Sequence, residues 1–241
     1  MFRLDGKAAI VTGASGELGR AMADGLKDFG ARVAVIGRSE SLLRLADDGF
    51  IPIRGDLTDE DSDAVDQAIE QLGGLDILVT AHGMVVRSPA ESFPRKEWTQ
   101  TLEVNLTSVI RTIQAAVPVF LKQGHGKIIN VASMLSFSGG LNACAYAASK
   151  GGVAQLTKAL ANEWAGRGIN VNAIAPGYFA TPMTQAIRDD PQRNQQILDR
   201  LPVGQWGQPQ ELAGAVVFLS SEASDYIHGI ILPVDGGWLA R

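Results

Sequence analysis

The sequence predicts an α/β fold, a single doubly wound domain over residues 1–241 with a seven-stranded parallel sheet and helices on both faces. Seven short apolar runs alternate with helical patterns along the chain, and this alternation is typical of parallel sheets. No repeat, linker or low-complexity tract divides the chain. Glycine-rich and polar motifs directly follow several of the runs, at the sheet edge where ligands bind in such folds.

The apolar runs are taken as strands buried on both faces. In chain order they are 7–12, 32–36, 50–53, 75–80, 127–132, 169–175 and 229–234. The helical patterns between them cover about 17–29, 59–72, 95–122, 144–165 and 209–220. Thr58 with Asp61 has the pattern of a capping box that opens the second helix. Gly30, Gly73 and Gly124 stand where helices are expected to end.

Composition excludes several classes of protein. Hydrophobic residues make up 46% of the chain, so it is not disordered, and the net charge of −5 does not favour nucleic acid or an anionic membrane as a partner. The single cysteine, Cys144, excludes an internal disulfide framework and fits a reducing compartment. The first residues form neither a signal peptide nor a membrane span, so we expect a cytoplasmic protein. The three histidines lack the spacing of a zinc site, and no metal is expected.

A glycine-rich turn, "TGASGELG" at 12–19, follows the first strand and opens the first helix. Glycines allow a tight turn and close approach of the backbone to a pyrophosphate, and the helix N-terminus offers unpaired N–H groups. In this strand–turn–helix context the motif favours a dinucleotide site of the Rossmann type, although many glycine-rich turns bind nothing.

Three further positions bear on the dinucleotide. Asp56, after the third strand, suits a contact to the adenine ring, or else caps a turn. The small loop 80–83, "TAHG", leaves room for a cofactor to cross the sheet. An acid at the end of the second strand would select NAD, but this place holds Gly37 followed by Arg38. Glycine leaves room for a 2′-phosphate and arginine can pair with it, so NADP is favoured over NAD; the alternative is a solvated Arg38.

Tyr146 and Lys150, in "YAASK", lie one helical turn apart. A free phenol has a pKa of about 10, and lowering it to about 7 requires roughly 4 kcal/mol of phenolate stabilisation. A nearby ammonium and a positive nicotinamide can supply much of this. Ser133, just beyond the fifth strand, can hydrogen-bond a substrate oxygen, and Asn105 can hold a water that links Lys150 to solvent. This set suits a general acid/base site that moves a proton on a carbonyl oxygen. Each residue also has a purely structural interpretation.

Over essentially its whole length the chain resembles the short-chain dehydrogenase/reductases. The matching motifs, in the order of the family, are "TGASGELG", "GDL", "TAHG", "VNL", "NVASM", "YAASK" and "PGYFAT". The resemblance implies an Asn105–Ser133–Tyr146–Lys150 tetrad, a homotetramer, and contacts from Lys150 to the nicotinamide ribose and from Thr181 to the carboxamide. The predicted cofactor-binding residues are Gly13, Ser15, Gly16, Leu18, Gly19, Arg38, Asp56, Leu57, Ala81, Gly83, Tyr146, Lys150, Pro176, Gly177 and Thr181.

Two motifs depart from the family pattern. Glu17 stands where the middle glycine of the T-G-x-x-x-G-x-G turn is expected, and either points to solvent or repels a pyrophosphate. The usual N-N-A-G reads "TAHG", so that Thr80 replaces an asparagine and His82 an alanine. A structural role is favoured for His82 over a catalytic one.

The segment 177–207 is a long polar insertion and is expected to form a lid over the substrate. Four stretches, "ASMLSFSGG", "NEWAGRGINVNAIAPGYFAT", "ILDRLPVGQWGQP" and "VDGGWLAR", resemble 2-dehydro-3-deoxy-D-gluconate 5-dehydrogenases, also described as 2-deoxy-D-gluconate 3-dehydrogenases, and the related gluconate 5-dehydrogenases. This implies oxidation of a secondary alcohol on an open-chain sugar acid, or reduction of its ketone. Arg87 and Arg200 are predicted to bind its carboxylate, beside Ser133 and Tyr146.

Two alternatives stay open from the sequence. A 3-oxoacyl-[acyl-carrier-protein] reductase would share the tetrad but would need a basic surface for its acidic carrier. A non-catalytic dinucleotide sensor would not need Tyr146 or Lys150.

Overall fold

Seven parallel strands form one twisted sheet in the computed structural model, which describes residues 1–241. They are β1 (Ala8–Thr12), β2 (Arg32–Gly37), β3 (Ile51–Arg54), β4 (Ile77–Thr80), β5 (Gly126–Val131), β6 (Ile169–Pro176) and β7 (Ile231–Val234). The strand order is β3-β2-β1-β4-β5-β6-β7. The order reverses between β1 and β4, so the predicted doubly wound parallel sheet is confirmed, with its ligand crevice expected at that point.

Helices cover both faces of the sheet, as predicted. They are α1 (Glu17–Asp28), α2 (Ala64–Leu72), α3 (Arg95–Leu102), α4 (Ser108–Gln123), α5 (Cys144–Trp164), α6 (Gln185–Arg188), α7 (Pro191–Arg200) and α8 (Ala213–Ser220). Successive residues of β1 point to opposite faces: Val11 packs in one core with α1 and α8, and Ile10 in the other with α2 and α4. The strands are thus buried from both sides.

The two edge strands are not buried on both faces, and this part of the prediction is wrong. β3 and β7 each have one fully buried residue, Ile53 and Ile231, and Pro233 of β7 is exposed. An edge strand pairs on one side only, so the helices that cover the middle of the sheet leave part of it in solvent. The apolar runs there reflect half-burial.

The predicted capping box at Thr58 and Asp61 is also wrong. The backbone N–H and the hydroxyl of Thr58 both donate to Asp56 Oδ1, at 2.9 and 2.7 Å. Because Thr58 is engaged in this local turn, α2 begins only at Ala64. The expected glycine stops are confirmed: Gly73 and Gly124 end α2 and α4 in the left-handed conformation, with φ of 70° and 74°.

The helix predicted over 95–122 is divided by a π-helical turn, Glu103–Thr107, between α3 and α4. The stretch Arg95–Gln123 is long and apolar enough to cross a membrane by length and composition, and half of its most apolar window is buried in the chain. Val109, Ile113 and Phe120 are buried in the core beside the sheet, so α4 packs as a core helix does.

The insertion 177–207 is folded rather than structureless. It forms a short 3-10 helix, Pro182–Thr184, followed by α6 and α7. The carboxylate of Asp190 caps α7 by accepting hydrogen bonds from the backbone of Gln192 and Arg193. Ile197 and Leu201 pack with Met134 and Trp238. The segment therefore covers the carboxyl ends of β5 and β6.

Candidate active site and cofactor cleft

Two adjoining clefts lie at the carboxyl ends of the strands and share Leu18, Ala81, His82, Gly83, Thr181 and Met183. The larger, of about 950 Å³, follows the glycine-rich turn and the ends of β2 and β3. The smaller, of about 450 Å³, lies under α7. Every predicted cofactor-binding residue lines one of the two clefts, and so do Ser133, Arg87 and Arg200. The smaller cleft holds Tyr146 and Lys150; Asn105 is buried beside it.

The turn after β1 has the shape that a diphosphate needs. A Cβ added to Gly19 would lie 2.5 Å from the carbonyl oxygen of Gly13, and Gly13 itself has a φ of +71°. Gly16 caps α1 without a side-chain hydrogen bond, so no side chain occupies the first-turn N–H groups. Glu17 is exposed in this first turn and lines the rim of the larger cleft. Of the two orientations open from the sequence, the structure has the solvent-facing one.

At the far end of the larger cleft, Gly37 faces Ser15. A Cβ on Gly37 would lie 2.8 Å from the Ser15 hydroxyl, so any larger residue would require the Ser15 side chain to move. Arg38 forms an ion pair with Asp56 at 3.5 Å, with 65% and 42% of the two side chains exposed. Such an exposed pair is worth about 0–1 kcal/mol. Arg38 is therefore available to a competing anion at low cost, and the residues present fit a dinucleotide with a phosphate at this end.

Ser133 begins a short 3-10 helix directly after β5. Its hydroxyl accepts a hydrogen bond from the backbone of Leu135 at 3.1 Å, and its own backbone N–H donates to Ser136 Oγ. The Ser136 hydroxyl in turn donates to the carbonyl oxygen of Lys150 at 2.7 Å. This chain of bonds fixes Ser133 against the first turns of α5.

Tyr146 and Lys150 both project from α5 into the smaller cleft, where Lys150 is buried and Tyr146 is half-buried. Burial raises the pKa of the Tyr146 phenol, while a hydrogen bond with Ser133 and the charge of Arg87 lower it. The expected lowering by Lys150 is not found. The ammonium donates to the carbonyl oxygen of Val131 at 2.6 Å and lies 6.0 Å from the centre of the tyrosine ring. Burial lowers the pKa of Lys150 from 10.5 to about 8.

Asn105 is fully buried in the π-helical turn. Its Oδ1 accepts from the Met84 N–H at 2.8 Å, and its Nδ2 donates to Met84 O at 2.8 Å and to Ser149 Oγ at 3.1 Å. Both amide hydrogens are thus used inside the protein, and the side chain has no donor left for a water. A Cβ on Gly83 would lie 3.3 Å from Asn105 Oδ1 and 3.7 Å from Lys150 Nζ, so the three residues are close neighbours.

Three arginines line the smaller cleft: Arg87 from the loop after β4, and Arg193 and Arg200 from α7. None of them forms an ion pair with a carboxylate of the chain. The guanidinium carbon of Arg200 lies 3.9 Å from the centre of the Trp238 ring, a cation–π contact. Burial raises the pKa of Tyr178 and the charges of these three arginines lower it, so all three act on one point of the cleft.

The cleft also contains three residues that are not among the predicted substrate contacts: Arg193, which lies in the expected lid, Gln196 and Trp238. The signal was present: Asp190 followed by Pro191 marks a helix start, and positions 193, 196, 197 and 200 then share one face of α7. Arg188, by contrast, lies outside the cleft and donates to the carbonyl oxygen of Thr181.

Comparison with known proteins gives several full-length similarities. Residues 13–239 match the family model described as enoyl-(acyl carrier protein) reductase. A 2-dehydro-3-deoxy-D-gluconate 5-dehydrogenase from Dickeya dadantii is 46% identical, over 100% of this chain and 98% of the relative. A gluconate 5-dehydrogenase from Gluconobacter oxydans is 39% identical over 98% and 96%. The structure of a gluconate 5-dehydrogenase from Burkholderia cenocepacia J2315, in complex with NADP and tartrate, superposes with a TM-score of 0.95 at 37% identity, over 100% and 98%.

The buried ammonium of Lys150 predicts a pH dependence of stability. Its pKa of about 8 in the folded protein is below the value of 10.5 for a free lysine, so the unfolded chain binds more protons between these pH values. The free energy of unfolding, relative to Lys150→Met, should therefore rise between pH 8 and 10.5, by at most about 3 kcal/mol. Urea titrations at several pH values measure this, with the exposed Lys158→Met on the same helix as the control. A difference that stays constant with pH would contradict the prediction.

Proposed function

The chain belongs to the short-chain dehydrogenase/reductase family of oxidoreductases, and we propose that it interconverts a secondary alcohol and a ketone on a sugar acid, such as a deoxy- or keto-gluconate, with NADP as cofactor. One observation supports this most directly. The cleft that contains Ser133, Tyr146 and Lys150 also contains three arginines without carboxylate partners. A proton-transfer group and three cations therefore line one cavity of about 450 Å³, which suits a small sugar acid.

Tyr146 is the proposed proton donor in the direction of ketone reduction. Because burial keeps its phenol protonated at neutral pH, it can give a proton to the carbonyl oxygen while that oxygen is held by the Ser133 hydroxyl. The cofactor, when bound, supplies the hydride to the carbonyl carbon. In alcohol oxidation the proton returns to Tyr146. Ser133 and Arg87 lower the pKa of the phenol and so favour the phenolate that remains after transfer, while Lys150, 6.0 Å from the ring centre, is assigned to the nicotinamide ribose.

Asn105 is proposed to support the site through its hydrogen-bond partners. Its amide fixes Met84, in the loop that leads to Arg87, and Ser149, next to Lys150. The role differs from the expected one of holding a water with the side chain, because Met84 and Ser149 already accept both hydrogens of the amide.

The arginines are the proposed determinants of substrate class. An acidic chain with a net charge of −5 repels a carboxylate in bulk, so local cations have to compensate. Arg87 and Arg200 reach the cavity from two different elements, the loop after β4 and α7. A bidentate guanidinium–carboxylate bond would fix both the position and the orientation of the acid. The cation–π contact with Trp238 restrains Arg200 for this role.

NADP is the proposed cofactor because a 2′-phosphate would meet Arg38 and no acid at the end of β2. The exposed pair with Asp56 contributes about 0–1 kcal/mol, whereas a hydrogen bond to a charged group contributes about 1.5–3 kcal/mol. The exchange of Asp56 for a phosphate is therefore favourable. NAD, which lacks the phosphate, would gain nothing from Arg38.

Tyr146→Phe tests the proposed acid. We expect turnover to be lost while NADPH affinity stays close to native, because the phenol proton is removed and the ring retained. Lys150→Ala should lower both turnover and affinity, since Lys150 is assigned to the cofactor as well. Steady-state rates and cofactor titrations measure these quantities. The fully exposed Tyr226→Phe is the matched control. Near-native turnover in Tyr146→Phe would refute the mechanism.

Arg38→Ala tests the choice of cofactor. Loss of a charged hydrogen bond should weaken NADPH binding by about 10- to 150-fold and leave NADH binding nearly unchanged. Titration of both nucleotides into the native protein, Arg38→Ala and the control Arg44→Ala, whose side chain is exposed nearby, gives the two affinities. The proposal fails when the native protein binds NADH more tightly and Arg38→Ala alters neither affinity.

Arg87→Ala and Arg200→Ala test the recognition of the carboxylate. Each variant should lower kcat/KM for a keto-gluconate by about 10- to 150-fold and change little for a neutral polyol ketone of the same length. Arg95→Ala, an exposed arginine of α3, serves as the control. Equal activity of the native enzyme on both substrates, without selective loss in either variant, would show that these arginines do not bind a carboxylate.

A further inference from the structure

His82 stands where the family pattern has an alanine, and its imidazole bridges two functional segments. Nδ1 lies 2.6 Å from the hydroxyl of Thr12, the last residue of β1 before the glycine-rich turn. Nε2 lies 2.9 Å from the hydroxyl of Ser108, the first residue of α4 after the π-helical turn. An alanine at this position could make neither bond.

The surrounding hydrogen bonds fix one tautomer. Ser108 Oγ donates its only proton to the carbonyl oxygen of Val104 at 2.8 Å, so Nε2 of His82 must be the donor to Ser108. Thr12 Oγ1 accepts the backbone N–H of Ala81 at 3.0 Å, and its own proton goes to Nδ1 at 2.6 Å rather than to the more distant Val79 carbonyl oxygen at 3.4 Å. Both ring nitrogens are thus occupied in the neutral form. Burial and the charge of Lys150 lower the pKa of His82 to about 3, so this neutral form persists at working pH.

The backbone around His82 touches the same two segments. A Cβ on Gly13 would lie 2.7 Å from the Cα and the N of His82, so the glycine-rich turn rests directly on this residue. Gly83, the next residue, packs against Asn105 and Lys150. A displacement of the His82 ring therefore alters the glycine-rich turn on one side and the surroundings of Lys150 on the other.

We propose that His82 is a positioning residue, which holds the glycine-rich turn through Nδ1 and the Asn105 turn through Nε2. The inference rests on the proposed NADP-dependent reaction. The bond to Thr12 serves cofactor binding, because Thr12 leads into the phosphate turn. The bond to Ser108 serves turnover, because Ser108 anchors the turn that carries Asn105 beside Lys150. His82 does not itself transfer a proton.

Two amide substitutions separate the two bonds. The amide of asparagine can take the place of Nδ1 and keep the bond to Thr12, while the amide of glutamine can take the place of Nε2 and keep the bond to Ser108. We expect His82→Gln to weaken NADPH binding by about 2- to 10-fold with kcat close to native. We expect His82→Asn to lower kcat by about 2- to 10-fold with NADPH affinity close to native.

Ser108→Ala provides a second route to the same answer without altering the histidine. It should lower kcat as His82→Asn does. The double variant Ser108→Ala/His82→Asn should have a kcat no lower than that of either single variant, because both substitutions remove the same bond. NADPH dissociation constants by fluorescence titration and kcat on a keto-gluconate are the two measurements. The exposed His125→Gln, at the opposite end of the sheet, is the control.

The proposal is overturned when His82→Gln and His82→Asn change affinity and kcat in the same ratio, or when neither variant changes either quantity. It is also overturned when the effects of Ser108→Ala and His82→Asn add. A native protein that binds NADPH but does not reduce a keto-gluconate would contradict the proposed substrate, while the affinity measurements on His82→Gln still test the bond to Thr12.

Discussion

The reversal of strand order at β1 is the constraint on which the rest of the site depends. β1 pairs with β2 on one side and with β4 on the other, so the loops that leave β1 and β4 must separate and open a crevice at the carboxyl edge. The separation is small: a side chain on Gly13 would collide with the backbone of His82. Every group assigned to the reaction approaches this crevice from the loop after a strand or from the helix that follows it.

Tyr146 and Lys150 show how one buried environment acts oppositely on an acid and on a base. Removal from water raises the pKa of the phenol and lowers that of the ammonium, so burial favours the uncharged form of both groups. Two hydrogen bonds offset part of the cost of a buried charge: the Val131 carbonyl oxygen accepts one from the ammonium, and the Ser133 hydroxyl forms one with the phenol. A site in which charge is costly suits a reaction that creates a phenolate only at the moment of proton transfer.

The central strands and the glycine-rich turn could be predicted from the sequence, because continuous apolar runs and motif spacing reflect local physical requirements. The structure brings Ser133, Tyr146 and Lys150 into one cleft, and their catalytic roles stay predictions. The start of α2 could not be predicted. Thr58 can either cap a helix or bond to Asp56, and the tertiary structure favours the bond to Asp56. The π-helical turn at Asn105 has no period of its own in the sequence. The bridging role of His82 depends on Thr12 and Ser108, which lie 70 and 26 residues away. The expected cytoplasmic location and homotetramer stay predictions.

The unpaired arginines have a consequence for how a substrate arrives. The chain is acidic overall, yet Arg87, Arg193 and Arg200 leave one concave surface with an uncompensated positive potential. At physiological ionic strength such a potential extends about 8 Å into solvent before counterions screen it. Within that range it draws anions toward the cleft and has no comparable effect on neutral molecules. Selection for an acid thus begins during diffusion, in the association rate, before any guanidinium touches a carboxylate.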